Sequence, residues 1–330
     1  MKKVVLAVSV ACLALAAIAA TGAIRNEAGG AKSAGPVPSA SALRASPGGK
    51  TTVVARGVVP RVDYVIDLNT GVMTPLPSAI LRSLGTSDER SLYPSFASRY
   101  AASSDGSRLA YMGIGHEGSP QIFIAGIDGT GVRQVTHDPT RASSPAWSPD
   151  GTMIAYKASE GVFVVDVETG ESTPVVDSGR DGPNSKPQFT PDGSSLLYTD
   201  GSSSRGVLRT IPIGGGASRV LIGPGQGMDG AGMGSLSPDG SLVTMMGAEL
   251  GGPGALRFVA NADGTGRRVI PGRYSNPAGT WSPDGGRIVC SEHGGKHVVV
   301  VDITTGEASR VAKGNAAIWL NGHTLLVEVS

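Results

Sequence analysis

The feature that most constrains this chain is a short string that recurs at nearly even spacing. It contains proline, aspartate and glycine, and occurs as WSPDG at 147–151, FTPDG at 189–193, LSPDG at 236–240 and WSPDG at 281–285. Weaker copies are SSDG at 103–106 and WLNG at 319–322. Successive aspartates, from Asp105 to Asp284, lie 42 to 47 residues apart. A fixed period of this length indicates an array of repeated structural units.

Each copy of the string is followed by the same order of short segments. After Asp150 these are an apolar segment (MIAYKAS), a second one (GVFVVDV), a glycine-containing turn (ETGE) and a last short segment (STPVV). Runs rich in Val, Ile, Leu and Tyr between turn residues are typical of β-strands. With the segment that precedes the string, each unit contains four strands, as a β-propeller blade does.

The two ends of the repeat region complete each other. Residues 62–76 (VDYVIDLNTGVMTPL) supply the third and fourth strands of a unit, and residues 317–330 (AIWLNGHTLLVEVS) supply the first two. Pairing these ends makes one composite blade and removes exposed sheet edges. Residues 51–330 are therefore predicted to form an all-β, six-bladed propeller of four-stranded blades, closed by its own N- and C-terminal strands.

The N-terminus has the pattern of a targeting segment. Lys2 and Lys3 precede an apolar run from Val4 to Ala23, which predicts a signal peptide over residues 1–23 or, alternatively, an uncleaved membrane anchor. Residues 24–50 are rich in Gly, Ala, Ser and Pro and are predicted to be a flexible linker. We therefore expect a protein that is secreted or held in the extracytoplasmic cell envelope, with no membrane contact beyond that anchor.

Charge and cysteine content narrow the class of partner. Removing residues 1–23 takes two lysines from the 28 basic residues, so the mature chain has 26 basic and 27 acidic residues. A chain with this nearly neutral net charge is not expected to bind nucleic acid. One cysteine, Cys290, remains in an apolar context and is predicted to be a small buried hydrophobic residue.

The repeated string resembles that of TolB-like propellers, which are similar in style to WD repeats. The resemblance rests on the four full copies and the x-x-aliphatic-x-Tyr pattern that follows them, and it covers the propeller only, without TolB's N-terminal α/β domain. Related repeats cap peptidases and form some polysaccharide lyases. The resemblance therefore implies the fold and leaves the function open.

A repeated aspartate invites a catalytic interpretation, but the string is better explained as a turn. Proline fixes φ at the second position, aspartate tolerates the third, and glycine takes the fourth, where φ is often positive. Such turns lie around a ring, so their aspartates do not converge at one point. The preceding Trp147, Phe189 and Trp281 are predicted to pack between blades.

More informative positions lie just before the string, where each innermost strand begins. Polar side chains there would line the mouth of the central channel, and we call them the channel rim. The predicted rim residues are Arg99, Ser144, Lys186, Asn276 and Asn315. Polar groups that converge on a concave opening are typical of a binding site. We expect alanine at Arg99 or Lys186 to weaken partner binding without lowering stability.

A long connection, residues 78–98, is the second candidate surface. It carries several apolar side chains, of which Leu84, Leu92, Tyr93 and Phe96 are the candidate partner contacts. Long connections in compact domains are often functional. Partner contact and simple capping of the channel both remain open.

Three histidines are weak candidates for metal binding. His293 and His297 share one hairpin loop, and His116 lies in the equivalent loop of another blade.

We expect no cofactor, no catalytic residues and a monomer. The sequence favours a binding scaffold for a protein or small ligand, and the alternative is a metal-dependent lyase or hydrolase that acts on an extracellular polymer.

Overall fold

The computed structural model describes residues 63–85, 99–177, 186–201, 206–223, 228–249, 255–272, 274, 280–292 and 297–328. The predicted targeting segment (1–23) and linker (24–50) lie outside these residues. None of the helices among the described residues is both long and apolar enough to cross a bilayer.

The described chain forms 24 strands and one short helix. It begins with β1 (Tyr64–Asp67), β2 (Met73–Pro75) and helix α1 (Ser78–Ser83). Blade 1 contains β3 (Tyr100–Ala102), β4 (Arg108–Ile114), β5 (Pro120–Gly126) and β6 (Arg133–Gln134). Blade 2 contains β7 (Ser143–Trp147), β8 (Met153–Ala158), β9 (Gly161–Asp166) and β10 (Ser172–Asp177). Blade 3 contains β11 (Gln188–Phe189), β12 (Ser195–Asp200), β13 (Val207–Pro212) and β14 (Arg219–Ile222).

The remaining strands complete three more sheets. Blade 4 contains β15 (Met228–Leu236), β16 (Leu242–Glu249), β17 (Ala255–Asn261) and β18 (Arg268–Val269). Blade 5 contains β19 (Thr280–Trp281), β20 (Arg287–Ser291), β21 (His297–Asp302) and β22 (Ala308–Lys313). Blade 6 contains β23 (Ala316–Asn321) and β24 (Thr324–Glu328) together with β1 and β2. Every pair of neighbouring strands is antiparallel, and the predicted six-bladed propeller is confirmed.

The composite blade is also confirmed. Strand β1 pairs antiparallel with β24, with Tyr64 opposite Val327 and Asp67 opposite Thr324. The first and last described strands of the chain therefore pair over four residues. Both strands therefore lie in the middle of their sheet, and neither has an exposed edge.

Six hydrophobic clusters hold the blades together, one at each interface between neighbouring sheets. Trp147 lies in the cluster between blades 1 and 2, Phe189 between 2 and 3, and Trp281 between 4 and 5. These aromatic residues are the inter-blade core that the repeat predicts. Cys290 is likewise fully buried, in the cluster between blades 4 and 5.

Helix α1 is the one element that the strand pattern does not predict. Its Ile80 is fully buried in the cluster between blades 6 and 1, and so is Leu84, which follows the helix. Blade 1 accommodates the helix through Gly113, because a Cβ there would lie 2.7 Å from the backbone oxygen of Ser83. The start of the 78–98 connection is therefore part of the core.

Candidate binding site at the channel rim

The repeated string forms the turn between the first two strands of a blade, as Asp192 illustrates. Its Oδ1 accepts hydrogen bonds from the Thr190 hydroxyl at 2.6 Å and the Ser194 amide at 3.0 Å, and its Oδ2 accepts from the Ser194 hydroxyl at 2.8 Å. Gly193 has a φ of +70°, which L-residues rarely adopt. These hydrogen bonds lower the pKa of Asp192 to about 2. The aspartate caps its own turn, so its role is local and structural.

This lowered pKa makes the turn sensitive to acid. The ionised carboxylate stabilises the fold above the pKa of an unfolded aspartate, about 3.9, and that contribution is lost as the pH falls toward about 2. We therefore expect Asp192→Asn to be less stable than the wild type near neutral pH, with the difference disappearing at about pH 2. Urea denaturation over this pH range measures it. The exposed Glu160→Gln is the control, and a difference for Asp192→Asn that is constant with pH would contradict the prediction.

Arginines on this face join neighbouring blades, a feature that the sequence interpretation missed. The guanidinium of Arg108 in blade 1 lies 4.5 Å from the ring centroid of Trp147 in blade 2, and donates to the Gly151 carbonyl at 3.0 Å. Arg287 of blade 5 repeats the arrangement on Trp319 of blade 6, at 4.9 Å. The signal was present in the sequence, because both arginines lie three residues after an aspartate of the repeated string.

At the opposite end of the inner strands, the predicted rim residue Arg99 is buried and ion-paired. Its Nη1 lies 2.9 Å from Oε1 of Glu328 and 3.7 Å from Oδ2 of Asp63. The Tyr100 hydroxyl donates to the same Asp63 oxygen at 2.8 Å. Asp63 precedes β1 and Glu328 ends β24, so Arg99 ties blade 1 to both halves of the composite blade. These contacts argue against the expectation that Arg99 can be removed without loss of stability, because Asp63 would stay buried after losing this positive charge.

Lys186 is the rim residue that reaches across the ring. Its ammonium donates to the Tyr100 carbonyl at 3.1 Å. Lys186 leads into β11 of blade 3, whereas Tyr100 is on β3 of blade 1, so this contact joins two blades that are not neighbours in the ring. Burial lowers the pKa of Lys186 to about 8. The structure therefore brings Lys186 close to Arg99, its partner in the predicted rim.

Ser144 lies on the inner strand between them and has a strained backbone. Its φ is +57°, and the pairing of β7 with β8 shifts register between Ser143 and Ala146. Met233 of blade 4 repeats this, with a φ of +51° at a register shift of β15. A non-glycine residue in this region costs of order 1–3 kcal/mol and marks a place where the surrounding structure fixes the backbone. Met233 occupies the same place relative to its turn as Ser144, and the sequence interpretation did not include it.

The other rim and loop residues are more dispersed. Asn315 lies at the start of blade 6, and its backbone is fixed by bonds to the Glu328 carbonyl at 3.0 Å and the Ser291 hydroxyl. Of the predicted loop contacts, Leu84 has no exposed surface and packs in the core, so it offers nothing to a partner. The remaining predicted rim residue, Asn276, lies outside the described residues. So do the remaining predicted loop contacts, which are Leu92, Tyr93 and Phe96.

The histidine candidates do not form a metal centre among the described residues. His297 lies 3.2 Å from Oε2 of Glu292, whose Oε1 accepts from Arg310 at 2.7 Å. His116 is exposed in a turn of blade 1, and His293 lies outside the described residues. No three His, Cys, Asp or Glu side chains in the described part of the chain are arranged to hold a metal ion.

Residues 77–272 match the family described as TolB beta propeller domain. This match covers more than half of the chain. The chain belongs to this family. The family accounts for the four-stranded sheets and for the repeated turn string, and the protein is a TolB-type propeller.

Two curated relatives match short parts of this TolB-type propeller. They are the Tol-Pal system protein TolB of Alcanivorax borkumensis, 34% identical over 90 residues, and that of Methylococcus capsulatus, 36% identical over 78 residues. The matches cover 26% and 22% of this chain and 20% and 18% of the relatives. The chain thus spans about a fifth of the length of these relatives.

Solved structures share the fold at low sequence identity. TolB from Acinetobacter baumannii has a TM-score of 0.52 at 16% identity, over 70% of this chain and 54% of that chain. A chain from the crystal structure of a nidogen/laminin complex has a TM-score of 0.50 at 16% identity, over 64% of this chain and 77% of that chain. At this identity the likeness concerns the architecture.

Proposed function

We propose that the protein is an exported TolB-type propeller that binds a protein or peptide partner at its channel rim. The carrying observation is Lys186, whose ammonium contacts a backbone carbonyl of blade 1 instead of a carboxylate. A side chain held there by one neutral acceptor has N–H donors left for a ligand. The names of the curated relatives, which assign them to the Tol-Pal system, support a protein partner.

The chemistry of the rim favours an acidic partner. Lys157 on β8 lies opposite Ser143 in the strand register, and burial and the nearby Arg141 lower its pKa. Among the described residues, no carboxylate forms an ion pair with Lys157 or Lys186. Cations that lack a counter-charge in the fold attract carboxylates of a partner, either acidic side chains or a C-terminal carboxylate.

Export is the second part of the proposal, and it rests on the N-terminal sequence. The lysines at positions 2 and 3 and the apolar run Val4–Ala23 are the supporting features. We infer that this segment directs the propeller out of the cytoplasm and that residues 24–50 act as a tether. The intact mass of the exported protein distinguishes cleavage near residue 23 from a retained anchor.

We expect Lys186→Gln to weaken capture of the partner about tenfold or more, because it removes one charge-assisted hydrogen bond. The full chain, immobilised, is used to capture partners from the envelope fraction of the producing cells, and the captured protein is then titrated against each variant. Binding should also weaken as the pH rises above about 8, since Lys186 then loses its proton.

The matched control is Arg268→Gln, which removes one positive charge from the exposed outer strand β18. It should leave partner binding unchanged. If both variants bind as the wild type does, the rim is not the binding surface. If both weaken binding equally, the effect is one of net charge, and the assignment to the rim is likewise wrong.

A further inference from the structure

A second buried arginine has no acceptor for its hydrogen bonds among the described residues. Arg257 lies on β17 of blade 4 and is 4% exposed. Its Nε, Nη1 and Nη2 atoms are all buried and form no hydrogen bond among the described residues. A guanidinium keeps its proton in proteins, so these donors cannot be removed by neutralisation. A buried charge in this state needs an acceptor from elsewhere.

The described neighbours of Arg257 contact its guanidinium but accept no hydrogen bond from it. The guanidinium lies 5.8 Å from the ring centroid of Tyr274, whose hydroxyl donates to the Pro271 carbonyl at 2.6 Å. Arg257 also lies near Cys290 of blade 5. Burial raises the pKa of the Cys290 thiol, and the positive charge of Arg257 partly offsets this effect. A neutral thiol is a weak acceptor. The group therefore lies at the interface of blades 4 and 5, and its N–H donors have no acceptor in the described part of the chain.

An acidic residue of this region, Glu292, already has basic partners. Glu292 forms a β-bridge with Tyr274, but its two carboxylate oxygens are paired with Arg310 at 2.7 Å and His297 at 3.2 Å. The only other buried arginine of the described residues, Arg99, has two carboxylates within 4 Å. The same fold thus supplies counter-charges to one buried arginine and not to the other.

We propose that Arg257 anchors an oxyanion-binding site between blades 4 and 5, which takes a carboxylate or phosphate group. Both groups present paired oxygens that match the planar fork of a guanidinium. The Tyr274 ring covers one face of the cation and leaves the donors at its edge for the ligand. The site is distinct from the channel rim, since Arg257 is on the third strand of its blade and the rim residues precede or lie on innermost strands.

The test compares the melting temperature of the full chain in chloride, acetate and phosphate at matched ionic strength. Wild type should melt about 2 °C or more higher in the oxyanion that binds than in chloride. Arg257→Met should show no such difference. Arg310→Met, which removes an exposed arginine from the same region, should keep it. A larger shift in acetate identifies a carboxylate ligand, and a larger shift in phosphate identifies a phosphate.

Three outcomes would overturn the proposal. The first is a wild type that melts at the same temperature in all three salts, which means that water alone satisfies the guanidinium. The second is an equal shift in wild type and Arg257→Met, which is a general salt effect. The third concerns Arg257→Lys, which keeps the charge but lacks the planar fork. This variant should bind acetate or phosphate about tenfold or more weakly in a calorimetric titration, and unchanged binding would contradict the proposal.

Discussion

Replacing Arg99 with methionine is expected to lower the free energy of unfolding by about 3–5 kcal/mol. The substitution keeps much of the side-chain volume but removes the charge that faces Asp63 at 3.7 Å and Glu328 at 2.9 Å. Asp63 is 1% exposed, so its carboxylate would remain buried after losing the positive charge of Arg99. Because these residues belong to blade 1 and to both halves of blade 6, the loss weakens the closure of the ring. Urea denaturation near neutral pH measures the change.

A surface ion pair provides the matched control for Arg99. Arg209 lies 2.9 Å from Asp200, and both side chains are substantially exposed to solvent. Arg209→Met should therefore lower stability by less than about 1 kcal/mol, because water screens the pair and solvates the carboxylate that remains. If Arg99→Met costs no more than Arg209→Met, the cluster around Arg99 does not stabilise the closure.

Replacing Trp147 with alanine is expected to cost about 3–5 kcal/mol as well. The indole is buried in the cluster between blades 1 and 2, where it packs with Met112 and Ile122 of blade 1. Alanine would leave a cavity between the two sheets, and the cost of a cavity adds to that of the lost apolar contacts. The Arg108 guanidinium would also lose the ring that it covers at 4.5 Å. Thermal or urea unfolding of the purified variant measures the effect.

Two further variants separate the packing of Trp147 from its other contacts. Its indole N–H is buried and has no hydrogen-bond partner among the described residues, so Trp147→Phe should lose less than about 1.5 kcal/mol. Arg108→Met should lose about 1 kcal/mol, through the cation–π contact and the bond to Gly151. A cost for Trp147→Ala that is no larger than that for Arg108→Met would contradict a packing role.

The predictions that succeeded from the sequence concern contacts between residues that are close in the chain. Asp192 bonds to residues two positions away on either side, so the string itself contains the information for its turn. The predictions that failed or were incomplete concern distant contacts. Arg99 was expected to be an open rim residue, but it meets Asp63 and Glu328, which lie far from it in the chain and become neighbours only when the ring closes.

Leu84 shows the same limit for apolar residues. Its place in a long connection indicated a surface for a partner, yet the connection folds back as α1 and buries Leu84 and Ile80 between blades 6 and 1. A six-residue helix leaves too short a periodic signal to be read from sequence. The hydrophobic residues of such a connection can contact a partner or pack in the core. Which of these occurs depends on the packing of the connection against the neighbouring blades.

By itself, the sequence determined the number of blades, the four strands of each, the turns between their first two strands and the composite blade. These follow from local turn chemistry and strand patterns that repeat at a fixed period. Only the tertiary structure decided the roles of the charged residues. Arg99 forms an ion pair with Glu328, Lys186 contacts a backbone carbonyl of another blade, and Arg257 is a buried guanidinium with no acceptor among the described residues. The physical reason is that the energy of a charge depends on its burial and on its partners, and both are set by segments that are distant in the chain.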